Sequence, residues 1–194
     1  MFNLKIVIAS TRPGRKGPAM ASWIFEISKK HPEFEVELLD LAEINLPFMD
    51  EPNHPRLHQY HHEHTKNWSR IIEGADAFIF VTPEYNYGFP ATLKNALDFL
   101  FVEWGYKPVA FVSYGGIAGG TRAVQMLKQV ITTLKMVPIV ESVNIPFFAK
   151  HIDTQGNFVP DDIMNKTAGD MLLELLKWTN SLTEMRKNNQ PDKK

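Results

Sequence analysis

Apolar and polar positions along the chain follow two alternating periods, one typical of strands and one of helices. Short segments that are apolar throughout, or apolar at every second position, are each followed by a segment with apolar residues at helical spacing. The predicted strands are Leu4–Ala9, Phe34–Asp40, Asp76–Val81, Pro108–Ser113 and one within Val137–Ile145. The predicted helices are Pro18–Lys30, Arg56–Glu73, Thr92–Val102, Arg122–Leu134 and Asp161–Met185, with a loop from about Leu41 to Pro55.

This alternation predicts an α/β protein with a parallel sheet. Strands separated by helices pair in parallel, and short apolar strands are covered by helices on both faces. Five strands with this rhythm predict the order 2-1-3-4-5, in which the ligand crevice lies beside the first strand. The sequence has no internal repeat and no shift of composition. We therefore predict one domain over residues 1–186 and a frayed polar tail over residues 187–194.

The composition excludes several classes of function. The chain has 194 residues, a formal net charge of -1 and no cysteine. This charge gives no electrostatic reason to expect nucleic acid or an anionic membrane, and the lack of cysteine removes disulfides, thiolate ligands and cysteine nucleophiles. No apolar run approaches the roughly 18 residues of a membrane span. The first residues lack the basic start and cleavage site of a signal peptide, so we expect a cytoplasmic location.

The loop after the first predicted strand, Ser10–Pro18, is rich in hydrogen-bond donors. It leads into a helix whose N-terminus points toward the crevice, where free backbone N–H groups and the helix dipole favour an anion. Hydroxyls and positive charges come from Ser10, Thr11, Arg12, Arg15 and Lys16. We interpret the loop as a site for a phosphate monoester, although it does not fit the P-loop pattern. The alternative interpretation is a solvated basic turn.

The loop after the third predicted strand, Thr82–Pro90, is aromatic and contains two prolines that stiffen it. It offers many backbone amides at the edge of the sheet where open α/β sheets bind ligands. Such a loop suits a flat aromatic ligand with a polar edge better than it suits a metal ion. For Tyr85 and Tyr87 the alternative is ordinary packing at the end of a strand.

The loop after the fourth predicted strand, Ser113–Arg122, contains two pairs of glycines. It does not match the dinucleotide-binding fingerprint, because the middle glycine of that pattern would fall on Ile117. A physical use of such glycines is to let the backbone approach a ligand closely. Because the loops after parallel strands share one edge of the sheet, these three loops are expected to converge on one crevice.

Two of these loops carry the motifs of a known family. Pro-Glu-Tyr-Asn occurs unchanged at residues 83–86, and Ser10 and Arg12 match the first loop, where Ala9 replaces the usual glycine. From Lys5 to Ile139 the chain resembles the NAD(P)H-dependent FMN reductases of the flavodoxin-like superfamily, which include quinone- and azo-reducing members. The resemblance implies a flavodoxin-like three-layer sandwich.

The resemblance also implies which residues surround non-covalently bound FMN. The phosphate would be surrounded by Ser10, Arg12, Lys16, Gly17 and Pro18, with Arg15 either beside it or reaching toward the pyridine nucleotide. The flavin ring would lie along Pro83, Glu84, Tyr85, Asn86 and Tyr87, and its flanks would be closed by Ser113, Tyr114, Gly115 and Gly116. Backbone amides would face flavin N5 and O4. Glu84 is interpreted as a structural anchor of its loop, so we predict no catalytic residue beyond the flavin; Arg122 could contact the cofactor or a partner subunit.

The implied reaction is hydride transfer from NADPH or NADH to FMN, followed by reduction of a small acceptor. Free flavin, a quinone, an azo dye or a metal oxyanion would serve as acceptor. One alternative is a flavin-bearing electron carrier or regulatory binding protein that does not oxidise NAD(P)H directly. Another is a sugar-phosphate or nucleotide enzyme that uses the same anion-binding loop.

Histidines are concentrated in one polar segment, at positions 54, 58, 61, 62 and 64. Pairs spaced by four residues can bind a metal on a helix. No carboxylate or thiolate pattern completes a recognisable site here, so we predict no metal and interpret the segment as a solvated face.

We also predict a homodimer or a dimer of dimers. The helix after the aromatic loop is more apolar than one stripe against a sheet requires, through Leu93, Leu97, Phe99, Leu100, Phe101, Val102 and the nearby Trp104. The loop Asn45–Pro52 corresponds in the family to one that lies near a neighbouring subunit's flavin. The alternative is that Phe99–Val102 pack under the C-terminal helix.

Overall fold

The computed structural model describes residues 1–188 of the chain, and its centre is a five-stranded parallel sheet. The strands are β1 (Phe2–Ile8), β2 (Phe34–Asp40), β3 (Ala77–Pro83), β4 (Pro108–Tyr114) and β5 (Val137–Ile145). Their order is β2-β1-β3-β4-β5, and every neighbouring pair is parallel. The predicted strand order is confirmed.

Helices cover both faces of this sheet. They are α1 (Gly17–Ser28), α2 (Leu41–Ile44), α3 (Glu63–Glu73), α4 (Ala91–Asp98), α5 (Thr121–Thr133) and α6 (Asp162–Asn188). Three short 3-10 helices occupy Pro55–Leu57, Val102–Trp104 and Phe148–His151. No helix within residues 1–188 combines the length and the apolar character needed to cross a membrane.

Burial explains why the apolar pattern specifies this sheet. Every residue of β3 and β4 is buried, because both strands are central and covered on both sides. On alternate faces of β1, Ile6 packs with α1 and α6, whereas Val7 packs with the helices of the other layer. The edge strand β2 keeps Leu38 partly exposed. The two cores on either side of the sheet therefore form the predicted three-layer sandwich.

Two predicted helices begin or end elsewhere. The helix expected over Arg56–Glu73 begins only at Glu63, because His58 adopts a left-handed conformation (φ 52°) that ends the 3-10 turn before it. The helix expected over Thr92–Val102 ends at Asp98. Beyond it, the buried Glu103 carboxylate accepts a hydrogen bond from the backbone N–H of Phe101 at 3.3 Å, in place of a helical carbonyl partner.

Two further differences concern α2 and α6. The single turn of α2 lies in a segment predicted as loop; it forms because the Asp40 carboxylate accepts from the backbone N–H of Ala42 at 3.0 Å. Helix α6 extends through Lys187 and Asn188, which the sequence analysis assigned to the tail. The rest of the predicted tail, residues 189–194, lies outside the described residues.

The apolar residues around α4 are not a surface patch. Leu93, Leu97, Phe99, Leu100 and Trp104 are each no more than 1% exposed. They join the core cluster on the α3 side of the sheet, which contains no residue of α6. Of the predicted surface only Val102 is exposed (51%), and Phe101 is partly buried against the same cluster, so the expected apolar surface is wrong for the other residues. The expected packing under the C-terminal helix is also wrong, because the 3-10 turn at residues 102–104 brings Trp104 back over Phe78 and Trp68.

The amino ends of the strands form the edge of the sheet opposite to the loops predicted to bind ligand, and polar groups there bond to one another. Arg186 of α6 donates to Asp76 Oδ1 at 2.6 Å and to the carbonyl of Tyr106 at 3.0 Å. Asp76 also accepts from the backbone N–H of Asn3 at 2.9 Å. Lys107 is buried, and its ammonium donates to the carbonyls of Ile72 and Glu73 at the end of α3 (2.6 and 3.0 Å).

Candidate functional site

The three predicted loops meet at the carboxyl edge of the sheet. This follows from the topology, because β1, β3 and β4 are parallel neighbours whose carboxyl ends lie side by side. One cleft there is lined by residues of all three loops and by one residue that follows β5. Its lining residues are Arg12, Arg15, Lys16, Pro83, Glu84, Tyr85, Tyr114, Gly115 and Phe148.

The floor of the cleft is a pair of buried hydroxyls at the start of α1. Tyr114 Oη lies 3.2 Å from Ser10 Oγ, and neither residue is more than 3% exposed. Burial raises the pKa of Tyr114 to about 12, so its hydroxyl stays protonated. Gly17 is required beside this pair, because a Cβ there would lie 2.4 Å from Ser10 Oγ. The missing side chain brings the N-terminus of α1 directly against the hydroxyls.

The first turn of α1 has no side-chain cap, although the backbone N–H of Ala19 already donates to the carbonyl of Lys16 at 3.2 Å. Its N-cap residue, Lys16, makes no side-chain capping bond, and Pro18 occupies the first turn without an N–H to satisfy. The first turn contains no acidic side chain. The helix N-terminus therefore carries its partial positive charge into the cleft, which is the arrangement that binds anions.

The three cations of this loop are not equivalent. Arg15 donates to both oxygens of Asp40 at 2.6 Å and to the carbonyl of Ser10 at 2.8 Å. The hydrogen bond to Asp40 raises the pKa of Arg15 against the opposing effect of burial. Within residues 1–188, by contrast, neither Arg12 nor Lys16 forms an ion pair with a carboxylate. Two cations thus face the cleft without a carboxylate partner in the described part of the chain, and the third is held by Asp40, the last residue of β2.

The aromatic loop forms a tight turn at residues 85–88. Tyr85 and Gly88 exchange backbone hydrogen bonds of 2.8 and 2.9 Å, and Asn86 and Tyr87 between them both have positive φ (49° and 70°). This is the conformation of a two-residue type I′ hairpin turn. Tyr85 lines the cleft, whereas Asn86 and Tyr87 lie at the tip of the turn and are exposed.

Glu84 is bound on both of its carboxylate oxygens by Arg122, the second residue of α5. Arg122 Nε and Nη2 lie 2.6 and 2.5 Å from Glu84 Oε1, and the backbone N–H of Arg122 donates to Oε2 at 3.2 Å. The Glu84 side chain is only 7% exposed. With these bonds its carboxylate has little capacity to act on a ligand, and it links the second loop to the third.

The glycine loop folds back on the end of β5. Gly119 and Gly120 have positive φ (57° and 87°), and a Cβ at Gly120 would lie 2.7 Å from the backbone nitrogen of Tyr114. Ser113 Oγ bonds to the carbonyl of Gly119 at 2.8 Å. Ser113 therefore stabilises the loop from inside and does not line the cleft. Gly115 lines the cleft itself.

Of the predicted site residues, eight line the cleft, and Ser10 lies beneath it through Tyr114. The others support the loops or lie at their outer ends: Gly17, Pro18, Asn86, Tyr87, Ser113 and Gly116. Sequence reasoning missed Phe148, whose ring packs edge-on against Tyr114 at 5.3 Å between ring centroids. It also missed Asp40 as the partner of Arg15. Neither residue lies in a recognisable motif; only the position of Asp40 at the carboxyl end of β2 pointed to this edge.

A second pocket, lined by uncharged residues, adjoins the loop Ser10–Pro18 (the phosphate loop). It is lined by Thr11, Leu41, Ala42, Asn45, Leu46, Thr92, Asn95 and Ala96. The Asn95 amide fixes the loop at its rim, donating to the carbonyl of Pro47 at 2.7 Å and accepting from the backbone N–H of Met49 at 3.0 Å. Between these two residues, Phe48 is 88% exposed.

The histidine-rich segment lies away from the cleft. His62 and His64 stack with ring centroids 5.2 Å apart, and His64 Nε2 lies 2.9 Å from Asp50 Oδ1. Within residues 1–188, no group of three or more histidine and acidic side chains could hold a metal ion.

The chain is similar to known proteins over most of its length. Residues 3–150 match the family model described as NADPH-dependent FMN reductase. The chain is 45% identical over 145 residues to an NAD(P)H-dependent FMN reductase of Schizosaccharomyces pombe, covering 73% of this chain and 72% of that protein. It is 35% identical over 142 residues to an NAD(P)H-dependent FMN reductase of Saccharomyces cerevisiae, covering 68% and 74%.

A solved structure gives the same fold at lower identity. The flavoenzyme NAD(P)H:(acceptor) oxidoreductase FerB of Paracoccus denitrificans superposes with a TM-score of 0.72 at 20% identity, covering 93% of this chain and 98% of that one. The fold is thus flavodoxin-like, and the family model and the yeast relatives place the chain among oxidoreductases. The chain belongs to the NADPH-dependent FMN reductase family. The predicted family, fold, enzyme class and flavin cofactor are confirmed.

Proposed function

We propose that the cleft binds one FMN per chain and serves NAD(P)H-dependent reduction of a small acceptor. The observation that carries this proposal is that three features converge in one cleft: a helix N-terminus, two cations with no carboxylate partner within residues 1–188, and the two loops that follow β3 and β4. The donor set fits a dianionic phosphate: the Ser10 hydroxyl, the Arg12 guanidinium, the Lys16 ammonium and the first turn of α1. Gly17 and Pro18 would shape that turn.

The other two loops would hold the flavin ring. Pro83, Glu84, Tyr85, Asn86 and Tyr87 would lie along one side, and Ser113, Tyr114, Gly115 and Gly116 along its flanks. When bound, FMN supplies the redox chemistry, accepting hydride from NADPH or NADH and reducing the acceptor. The backbone N–H groups of Glu84, Tyr85 and Gly88 already bond within the protein, so those of Asn86 and Tyr87 would stabilise negative charge that develops on the ring.

We propose no catalytic side chain beyond the flavin, and the bonding of Glu84 supports this. Glu84, the acidic residue at the cleft, has both oxygens bonded to Arg122. We further propose that Arg15 acts chiefly by holding the phosphate loop to α2, since its guanidinium already binds Asp40 and the Ser10 carbonyl. The acceptor would be free flavin, a quinone, an azo dye or a metal oxyanion.

We propose a homodimer, with the exposed Phe48 loop rather than the face of α4 as its apolar contact. The loop is held rigid by Asn95, so it can present Phe48 at little entropic cost. Light scattering at micromolar concentration tests this. A mass near the monomer value of 22.2 kDa for active, FMN-loaded protein would contradict it.

The first experiment compares the affinities of FMN and riboflavin by fluorescence quenching. We expect FMN to bind far more tightly, because riboflavin leaves Arg12, Lys16 and the helix end without their anion. Equal affinities would contradict the proposed phosphate site.

The second experiment measures NADPH and NADH oxidation by FMN-loaded protein against a matrix of acceptors. We expect direct oxidation of a nicotinamide and parallel lines in double-reciprocal plots, since one open face of the ring would serve both substrates in turn. Intersecting lines would contradict a shared face, and failure to oxidise either nicotinamide would instead favour an electron carrier.

A further inference from the structure

Arg122 joins the two loops on either side of the cleft, yet it does not line the cleft itself. It lies at the start of α5, directly after the glycine loop, and Glu84 lies in the aromatic loop directly after β3. Its side chain and its backbone N–H together engage both oxygens of Glu84. The Arg122–Glu84 pair therefore connects the two loops to each other and does not connect either loop to a ligand.

The burial and the negative charge of Glu84 explain why it needs a cation at position 122. The Glu84 side chain is 7% exposed and Arg122 43% exposed, so the carboxylate is the buried partner. A buried carboxylate requires a paired cation or several donors. Glu84 also sits where the backbone is fixed, because its N–H donates to the carbonyl of Tyr114 at 3.0 Å.

The same guanidinium also covers the strained part of the turn. Its Cζ lies 3.9 Å from the centroid of the Tyr87 ring, a distance typical of a cation–π contact. Tyr87 has a φ of 70°, a conformation that large side chains seldom adopt without compensating contacts. Arg122 thus contacts both ends of the 84–87 segment, one by an ion pair and the other by stacking.

We propose that Arg122 is a positioning residue of the flavin site, which through Glu84 and Tyr87 holds the type I′ turn at residues 85–88 in its binding conformation. This rests on the proposed function of the cleft. When Arg122 is removed, the backbone N–H groups of Asn86 and Tyr87, which the Tyr85–Gly88 bonds hold in place, are expected to lose their fixed orientation. Donors that stabilise the reduced ring are then less well aligned, so FMN binds more weakly and becomes harder to reduce.

The test measures the FMN dissociation constant and the midpoint potential of the bound flavin in Arg122→Ala, Arg122→Lys, Glu84→Gln and the double variant Arg122→Ala/Glu84→Gln. Gln125→Ala is the matched control, since Gln125 is exposed one turn further along α5. We expect Arg122→Ala to weaken FMN binding at least ten-fold and to make the potential more negative. Arg122→Lys should restore part of both, because it keeps the charge but loses the two-pronged geometry and the stacking.

The double variant distinguishes an effect of Arg122 through Glu84 from a general loss of structure at the site. If Arg122 acts through Glu84, the double variant should bind FMN no more weakly than Arg122→Ala alone. Additive losses, or a wild-type potential in Arg122→Ala, would overturn the inference. If Arg122→Ala does not fold, the variant Tyr87→Leu replaces it in the test. We expect Tyr87→Leu to lower the FMN affinity and to shift the midpoint potential less than Arg122→Ala would. An unchanged FMN affinity in Tyr87→Leu would also overturn the inference. If the wild-type protein itself does not bind FMN, the proposed function fails and the role of Arg122 fails with it, whereas normal wild-type binding with additive losses overturns the role of Arg122 alone.

Discussion

The two edges of the sheet differ in how their charged side chains are paired. At the amino edge, Arg186 and Asp76 are fully engaged with one another and with nearby backbone groups, and Lys107 caps the end of α3. At the carboxyl edge, Arg12 and Lys16 have no carboxylate partner within the described residues, and the first turn of α1 lacks a side-chain cap. The carboxyl edge also has paired charges, in Arg15–Asp40 and Arg122–Glu84, but Arg12 and Lys16 remain there without a carboxylate within residues 1–188, as the proposed phosphate site requires.

The largest expected effect is at the amino edge. Arg186→Ala should lower the free energy of unfolding by about 2–4 kcal/mol, because Asp76 is left mostly buried without its cation. Urea denaturation of the FMN-free protein measures this, with the exposed neighbour variant Lys187→Ala as control. FMN affinity should remain unchanged in both variants. Equal unfolding midpoints for Arg186→Ala and wild type would remove the contrast between the edges.

At the carboxyl edge the effect should appear in binding and not in folding. Arg12→Ala should weaken FMN binding ten- to a hundred-fold, since a hydrogen bond to a charged group contributes roughly 1.5–3 kcal/mol. The free energy of unfolding without FMN should change by less than about 0.5 kcal/mol, as for other exposed positions. Fluorescence titration measures the first quantity and urea denaturation the second. Lys30→Ala, at an exposed position just beyond the C-terminal end of α1, is the control. A loss of stability comparable to that of Arg186→Ala would show that Arg12 is structural.

The smallest expected effect is a pH dependence from Lys107. Burial lowers its pKa to about 7 from its ordinary value of 10.5, although the two carbonyls that it contacts favour the charged form. At a pH between these two pKa values, Lys107 keeps its proton in the unfolded chain and loses it in the folded protein. The free energy of unfolding should therefore rise with pH in this range. We expect a gain of about 1–2 kcal/mol from pH 7 to pH 9 relative to Lys107→Met. Parallel pH profiles for the two proteins would contradict a buried, weakly basic Lys107.

The sequence predicted the strands and the three loops because their signals are local. A central parallel strand such as β3 is apolar throughout, and a loop that follows it must lie at the carboxyl edge whatever the rest of the chain does. The aromatic loop and the phosphate loop also carry their own motifs, so their residues could be named in advance.

What the sequence did not predict depends on contacts between distant segments. The bond between Arg15 and Asp40 joins residues 25 apart, and that between Arg122 and Glu84 joins residues 38 apart. No periodicity encodes which cation a carboxylate will meet. Similarly, the apolar run around Phe99 indicates burial but not the partner, and only the 3-10 turn at Trp104 decides that it packs with α3.

The hydroxyl pair on the floor of the cleft has a consequence for how the protein is made. Ser10 and Tyr114 are 104 residues apart, so the floor exists only after β1, β3 and β4 have assembled in register. Such non-local pairing is slow compared with helix formation. Flavin can therefore bind only to chains that have already completed the sheet, and it should slow unfolding while leaving the refolding rate unchanged. In a growing cell, cofactor supply would then set how long each finished molecule survives, and not how quickly it forms.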